Sequence, residues 1–133
     1  MMNIVVDTSV VLAVITHESH RQQMIFLTRG ANLFSPPSLP WEIGNAFSAM
    51  FKRGRITLSQ AQQALRAYQQ MPIRLSNVEL KRALELSEEL NIYAYDAYMI
   101  GCAQKHKCPF LSLDSGLMDA ARRADVETLE VEI

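Results

Sequence analysis

The sequence predicts an α/β fold in three layers, α/β/α, with a mostly parallel five-stranded sheet between two sets of helices. Two observations carry that expectation. Short apolar runs of strand length alternate along the chain with longer stretches of helical periodicity, the pattern of strands joined by helical crossovers. Four acidic residues, Asp7, Glu42, Asp96 and Asp114, each fall where a strand ends or a helix begins, and a parallel fold gathers such places along one edge of its sheet.

Taken in order, Ile4-Val5-Val6 has the length and β-branching of a buried parallel strand, ends at Asp7, and leads into helix-compatible Ser9 to Ile15. His17 to Arg29 reads as a second amphipathic helix with Met24, Ile25 and Leu27 turned inward. A short strand, Leu33-Phe34-Ser35, is stopped by Pro36-Pro37. Ser38 then opens a helix from about Leu39 to Arg53, on which Ile43, Ala46, Phe47 and Met50 share one face and which Gly54 stops. Thr57-Leu58-Ser59-Gln60 is a capping-box pattern for a helix to about Gln70, and Pro72 to Leu75 suits a short strand. Ser76-Asn77-Val78-Glu79 has the same pattern, opening a helix with Leu80, Ala83, Leu84 and Leu90 inward and Asn91 at its end. A helix from Asp96 to about His106, a strand from Pro109 to Leu113, a helix from about Gly116 to Arg123 and a last strand from Thr128 to Val131 complete the chain.

Lengths support the shared edge. The helix from Asp96 carries the chain roughly 16 Å away, at about 1.5 Å per residue. The next strand returns it by roughly 16 Å, at about 3.3 Å per residue, so Asp114 comes back beside Asp96.

With 133 residues the chain suits one domain, 1–133, and shows no linker, internal repeat or low-complexity segment. Its longest uninterrupted apolar stretch, Val10 to Ile15, is too short to span a bilayer, so no membrane association is expected. Met1-Met2-Asn3 lacks a basic start and Asp7 interrupts what would be a signal peptide's apolar core, which points to a cytoplasmic location. Cys102 and Cys108 have neither CxxC nor zinc-site spacing and read as reduced, mostly buried thiols.

Taken singly, each acid has a plain explanation: Asp7 or Asp114 as a helix cap, Glu42 or Asp96 as a complement to a helix dipole. Together they form a nest of carboxylates that repel one another and raise each other's pKa, which suits a bound cation with hard oxygen ligands. The reading is a Mg²⁺- or Mn²⁺-dependent enzyme acting on phosphate esters, the metal lowering the pKa of bound water and a second ion, if present, steadying the leaving oxygen. Lys and Arg number 13 against 14 Asp and Glu, but setting the four acids aside leaves a basic excess. Lys52, Arg53 and Arg55, Lys105 and Lys107, and Arg122 with Arg123 are candidate phosphate contacts, although cations also favour helix C-termini for their own sake.

Other chemistries fit less well. No Ser-His-Asp or Cys-His constellation is present, and His17-Glu18-Ser19-His20 lacks the HExxH spacing and a third ligand. A phosphoacceptor signalling domain needs an acidic pair beside the first strand and a Lys after the last. A haloacid-dehalogenase-like phosphatase needs a second Asp two residues after Asp7, where Ser9 stands.

Asp7-Thr8-Ser9 after an apolar first strand, Trp41-Glu42-Ile43-Gly44-Asn45-Ala46 on a mid-chain helix, Tyr95-Asp96-Ala97-Tyr98 opening a later helix, and Ser112-Leu113-Asp114 closing a strand resemble the PIN domain. In length and order the chain looks like the VapC-type ribonuclease toxins of toxin–antitoxin pairs, from about Asn3 to Val131. The resemblance implies a sheet of order 3-2-1-4-5, one or two Mg²⁺ or Mn²⁺ ions, hydrolysis of RNA phosphodiesters, a homodimer and a small antitoxin protein as partner. Carried over, the acidic ligands would be Asp7, Glu42, Asp96 and Asp114, supported by hydroxyls from Thr8 or Ser9 and from Ser112, which stands in place of a more usual Thr, and by Asn45 one turn after Glu42. Asp119, a turn and a half beyond Asp114, could share or take the fourth role; Asp114 is preferred because a strand end aims it. Apolar segments Tyr68 to Met71 and Tyr93 to Met99 exceed what so small a core is expected to bury and suit a dimer face. The non-enzymatic alternative is an inert PIN module for RNA binding or assembly.

Overall fold

The apolar run after Asn3 forms β1 (Asn3–Val6), which alternates between two cores: Ile4 and Val6 enter one, Val5 the other. The structure, a computed structural model, describes residues 2–132; Met1 and Ile133, the ends of the expected 1–133 unit, lie outside them. After β1 come α1 (Thr8–Ile15), α2 (Arg21–Thr28), β2 (Asn32–Ser35), α3 (Leu39–Lys52), α4 (Leu58–Gln69) and β3 (Ile73–Leu75). Then follow α5 (Leu80–Leu90), α6 (Ala94–His106), β4 (Phe110–Leu111) and α7 (Ser115–Arg123). All pairings are parallel, in the order β3-β2-β1-β4. Helices α1 to α4 cover one face of the sheet around Ile4, Val6, Leu33 and Leu111, and α5 to α7 cover the other around Val5 and Phe110. This is the expected α/β/α sandwich.

Four differences from the sequence expectation have local causes. The expected fifth strand, Thr128 to Val131, is reduced to a single parallel bridge between Thr128 and Phe110. Its partner β4 is only two residues long and offers one residue's worth of pairing, Phe110 N–H to Glu127 O at 2.9 Å and Leu129 N–H to Phe110 O at 3.1 Å. Leu129 and Val131 then turn onto the α1–α4 core instead. β4 itself stops before Ser112, because the next amides bond to side chains: Leu113 N–H to Ser9 Oγ and Asp114 N–H to Ser112 Oγ, both at 2.9 Å.

The second helix starts four residues later than expected, since His17 sits in the left-handed region (φ 57°) and breaks the helical run. The capping box at Thr57 forms as expected, but the one at Ser76 does not. Ser76 Oγ is occupied by Lys105 Nζ (3.1 Å) and His106 Nε2 (2.8 Å) from the end of α6, so α5 starts only at Leu80. Its inward face is Ala83, Leu86 and Leu90, while Leu80 and Leu84 are exposed. Asn91 ends α5 in the left-handed conformation, and Gly54 (φ 65°) follows α3 as a stop.

Candidate metal centre

Four polar or charged residues are buried among the described ones, Asp7, Ser35, Ser38 and Ser112, and all belong to the carboxyl edge of the sheet. Burying polar groups is costly unless they are paired, so their grouping marks where the fold spends stability on something other than a core. Asp7 leaves β1 as the N-cap of α1. Its Oδ1 accepts from Ser9 Oγ (2.6 Å) and the Val10 amide (3.2 Å), and its Oδ2 accepts from Ser112 Oγ (2.6 Å). Ser9 and Ser112, 3.5 Å apart, in turn receive the Leu113 and Asp114 amides, so the end of β1 and the β4–α7 turn form one hydrogen-bonded unit.

The other acids arrive on helix starts. Glu42 stands in the first turn of α3, where its Oε2 accepts from Ser38 Oγ at 2.8 Å. Ser38 was expected to cap that helix; it makes no such bond, and the i, i+4 spacing to Glu42 was the signal for its actual partner. Asp96 lies in the first turn of α6, and Asp114 is the N-cap of α7, accepting from the Leu117 amide at 3.1 Å. Asp114 therefore sits beyond the end of β4 rather than at it.

Burial raises the Asp7 carboxyl above its usual range, with Asp114's charge adding to it and the hydrogen bonds from Ser112, Ser9 and Val10 opposing. Burial also raises Glu42, with Asp7 and Asp96 adding, and raises Asp96, with Asp114 adding. The four acids thus repel in a closed ring: Asp7 with Glu42, Glu42 with Asp96, Asp96 with Asp114, and Asp114 with Asp7. Among the described residues none of the four acids forms an ion pair with a lysine or arginine, the ion pairs being Arg82 with Glu85 and Arg122 with Asp119.

Thr8 Oγ1 is buried on the same edge. It lies near enough to Glu42 to favour the carboxylate but makes no hydrogen bond of acceptable distance and angle, so the oxygen is unpartnered. A buried hydroxyl without a partner calls for one. Hard oxygen donors, uncompensated negative charge and an orphaned hydroxyl together suit a divalent cation. As they stand, however, no three Asp, Glu, His or Cys side chains among the described residues converge closely enough to hold one. The acids are close enough to repel and too far apart to chelate, because Asp7, Glu42 and Asp114 are each turned toward a hydroxyl or amide.

Two residues named beside the acids stand apart from them. Asn45 lines a cavity of about 490 Å³ with Thr8, Trp41, Glu42 and Tyr95, but among the described residues no hydrogen bond joins its amide to a carboxylate. Asp119 is exposed on α7 and pairs with Arg122 at 2.8 Å. The basic clusters lie away from the edge as well. Helices α3, α6 and α7 begin at the acids and carry their cations to the opposite ends, roughly 20 Å along the 14 residues of α3. Lys105 is bonded to Asn77 O (2.7 Å), and Arg122 to Asp119 and to Thr128 Oγ1 (2.9 Å). Of the segments expected to exceed the core, Tyr93 and Tyr95 are 88% and 55% exposed, and what the sequence did not reveal is the exposure of Trp41, at 70%. Tyr68 and Met71, by contrast, pack partly against the core.

Fold and site together define a parallel α/β domain with an acidic centre at the carboxyl edge. The family model for the PIN domain matches residues 4–123, and the chain belongs to that family. No curated protein matches it. Among solved structures it is similar to PAE2754 from Pyrobaculum aerophilum, at 18% identity and TM-score 0.70 over 90% of this chain and 86% of that one. It is also similar to VapBC2 from Rickettsia felis bound to a DNA fragment from their promoter, at 14% identity and TM-score 0.69 over 96% and 98%. VapC20 from Mycobacterium tuberculosis, a sarcin–ricin loop cleaving toxin, matches at 15% identity and TM-score 0.62 over 88% and 94%. At these identities the likeness is one of fold.

Proposed function

We propose that the protein is a single-domain, Mg²⁺- or Mn²⁺-dependent endoribonuclease, the toxin of a VapBC-type pair, held inactive by a small antitoxin. The observation that carries this reading is the ring of four acids, none of them ion-paired among the described residues, with the unpartnered Thr8 hydroxyl beside it. Asp7, Glu42, Asp96 and Asp114 would hold the metal, which when bound supplies an acidified water and a positive charge for the phosphodiester. The chain's own groups do the rest. Ser9 and Ser112 fix both oxygens of Asp7, Ser38 orients Glu42, and Asp114 is held by its helix cap, so three of the four carboxylates start from a defined position. The toxin assignment is supported by family membership and by the names of the similar folds, which include VapBC2 and the FitAcB structure from Neisseria gonorrhoeae. A cytoplasmic homodimer accords with it, and the free thiols Cys102 and Cys108 suit a reducing compartment.

The test is incubation of purified protein with RNA in Mg²⁺ or Mn²⁺. Cleavage is expected, EDTA is expected to abolish it, and Asp7→Asn to remove it; equal cleavage by the variant would refute the assignment. One observation favours the alternative of an inert module that binds RNA or assembles with partners: among the described residues no three acids stand at chelating distance. RNA binding without metal-dependent cleavage would decide for it.

A further inference from the structure

Trp41 and Tyr95 each precede an acid of the ring, Glu42 and Asp96, and both side chains are more exposed than buried, at 70% and 55%. The same two rings line two cavities. One, about 490 Å³, contains Thr8 and Glu42; the other, about 320 Å³, runs past Pro37, Val78, Leu80 and Tyr98. The cavities therefore share an aromatic wall, and the first reaches the unpartnered Thr8 hydroxyl. Tyr98, half-buried, braces Tyr95 edge-on, with ring centroids 6.1 Å apart at 67°. Exposed aromatics cost solvation that a core would have recovered, and here they flank carboxylates that repel an anionic backbone. The cations of α3, α6 and α7 stand at the opposite ends of those helices, some of them already bonded, and Lys81, exposed in the first turn of α5 beside Leu80, is the nearer one. Beside the phosphate that a bound metal or Lys81 would hold, what the two exposed rings can grip is the flat, neutral face of a base.

We propose that Trp41 and Tyr95 form a stacking platform for the nucleobases that flank the reacting phosphodiester of a single-stranded RNA segment. The inference rests on the nuclease reading for the identity of its ligand. Every base presents a π-face, so such a platform favours unpaired over duplex RNA while tolerating many sequences. Base pairing would hide those faces, and the two rings would then have nothing to stack on.

Trp41 is the only tryptophan of the chain, so its fluorescence reports this platform alone. A short single-stranded oligoadenylate and an abasic strand with the same number of phosphates are titrated into the full-length Asp7→Asn protein. The base-bearing strand is expected to quench Trp41 and to bind the more tightly. Tyr95→Ala is expected to weaken it by roughly tenfold, at about 1.4 kcal/mol per decade, and Tyr95→Phe to leave it unchanged. Equal affinity for the abasic strand, or binding without any change in Trp41 fluorescence, overturns the proposal. So does a switch from dimer to monomer on Trp41→Ala by light scattering, which would assign the trough to a second copy of this chain. Base-dependent quenching in a protein that cuts no RNA would sink the nuclease reading and keep the platform; metal-dependent cleavage without quenching would do the reverse.

Discussion

Asp7 caps a helix and also sits in the acid ring, and the two roles pull on its charge in opposite directions. Hydrogen bonds from Ser112, Ser9 and Val10 favour the carboxylate, while burial and Asp114 oppose it and win. Since the folded-state pKa values of Asp7, Glu42 and Asp96 are raised, the folded protein binds more protons than the unfolded chain through the acid range. Their contribution to stability is greatest below the ordinary values of 3.8 for Asp and 4.5 for Glu, and is lost as pH rises through the raised ones. Metal-free Asp7→Asn should therefore melt higher than the parent at neutral pH, at about 4 °C for each kcal/mol gained, and show a shallower decline between acid and neutral pH. Calorimetry across that range in EDTA checks both; a lower melting temperature for the variant would mean that its hydrogen bonds outweigh its buried charge. Asp114 and Asp119 separate just as cleanly. Asp114 takes part in the ring, whereas Asp119 pairs with Arg122 in solvent, a contact worth about 0.5 kcal/mol at most. Asp114→Ala should lose Mn²⁺ binding and RNA cleavage while Asp119→Ala keeps both, as read by metal titration and gel assay; the opposite pattern would move the fourth ligand onto α7.

Between elements, the Ser9–Ser112 pair does what a longer strand would otherwise do, tying the end of β1 to the β4–α7 turn. Ser112→Ala removes the buried donor to Asp7 Oδ2 and the half-buried acceptor for the Asp114 amide, and should cost about 1–3 kcal/mol in urea denaturation. Loss of under half a kcal/mol would show that water replaces the hydroxyl. Elements were legible in the sequence where a local pattern faced no competitor. Ile4-Val5-Val6, with the length and β-branching of a buried strand, forms one, and Thr57 with Gln60 closed its box as read. Legibility failed where a distant group claimed the same atoms. Ser76 looked like a cap until Lys105 and His106 arrived from α6, and Ser38 bonded to a side chain of its own helix. The acids were readable as a shared edge because strand and helix lengths return the chain to it. Whether their side chains reach chelating distance was not, since rotamers answer to hydroxyl partners that spacing does not show.

For the molecule as a whole, the acid ring is a standing source of repulsion, and any ligand that binds only the folded form stabilises it by mass action. Mg²⁺ or Mn²⁺ at a hundredfold excess over Kd should add about 2.7 kcal/mol, visible as a rise in melting temperature that Ca²⁺-free EDTA buffer reverses. No shift at millimolar metal would favour the inert module. At the other side of the sheet stands a feature with a different bearing. The chain beyond α7 meets β4 through a single bridge, yet both of its bonds fall on Phe110, and Leu129 and Val131 anchor the segment on the core. It adds almost nothing as a strand. Its effect is to occupy the lateral amide and carbonyl that β4 would otherwise present to a strand from another molecule, the kind of open border from which ordered aggregates grow. Five residues in irregular conformation thus serve as a selvedge, keeping a two-residue strand from becoming a template.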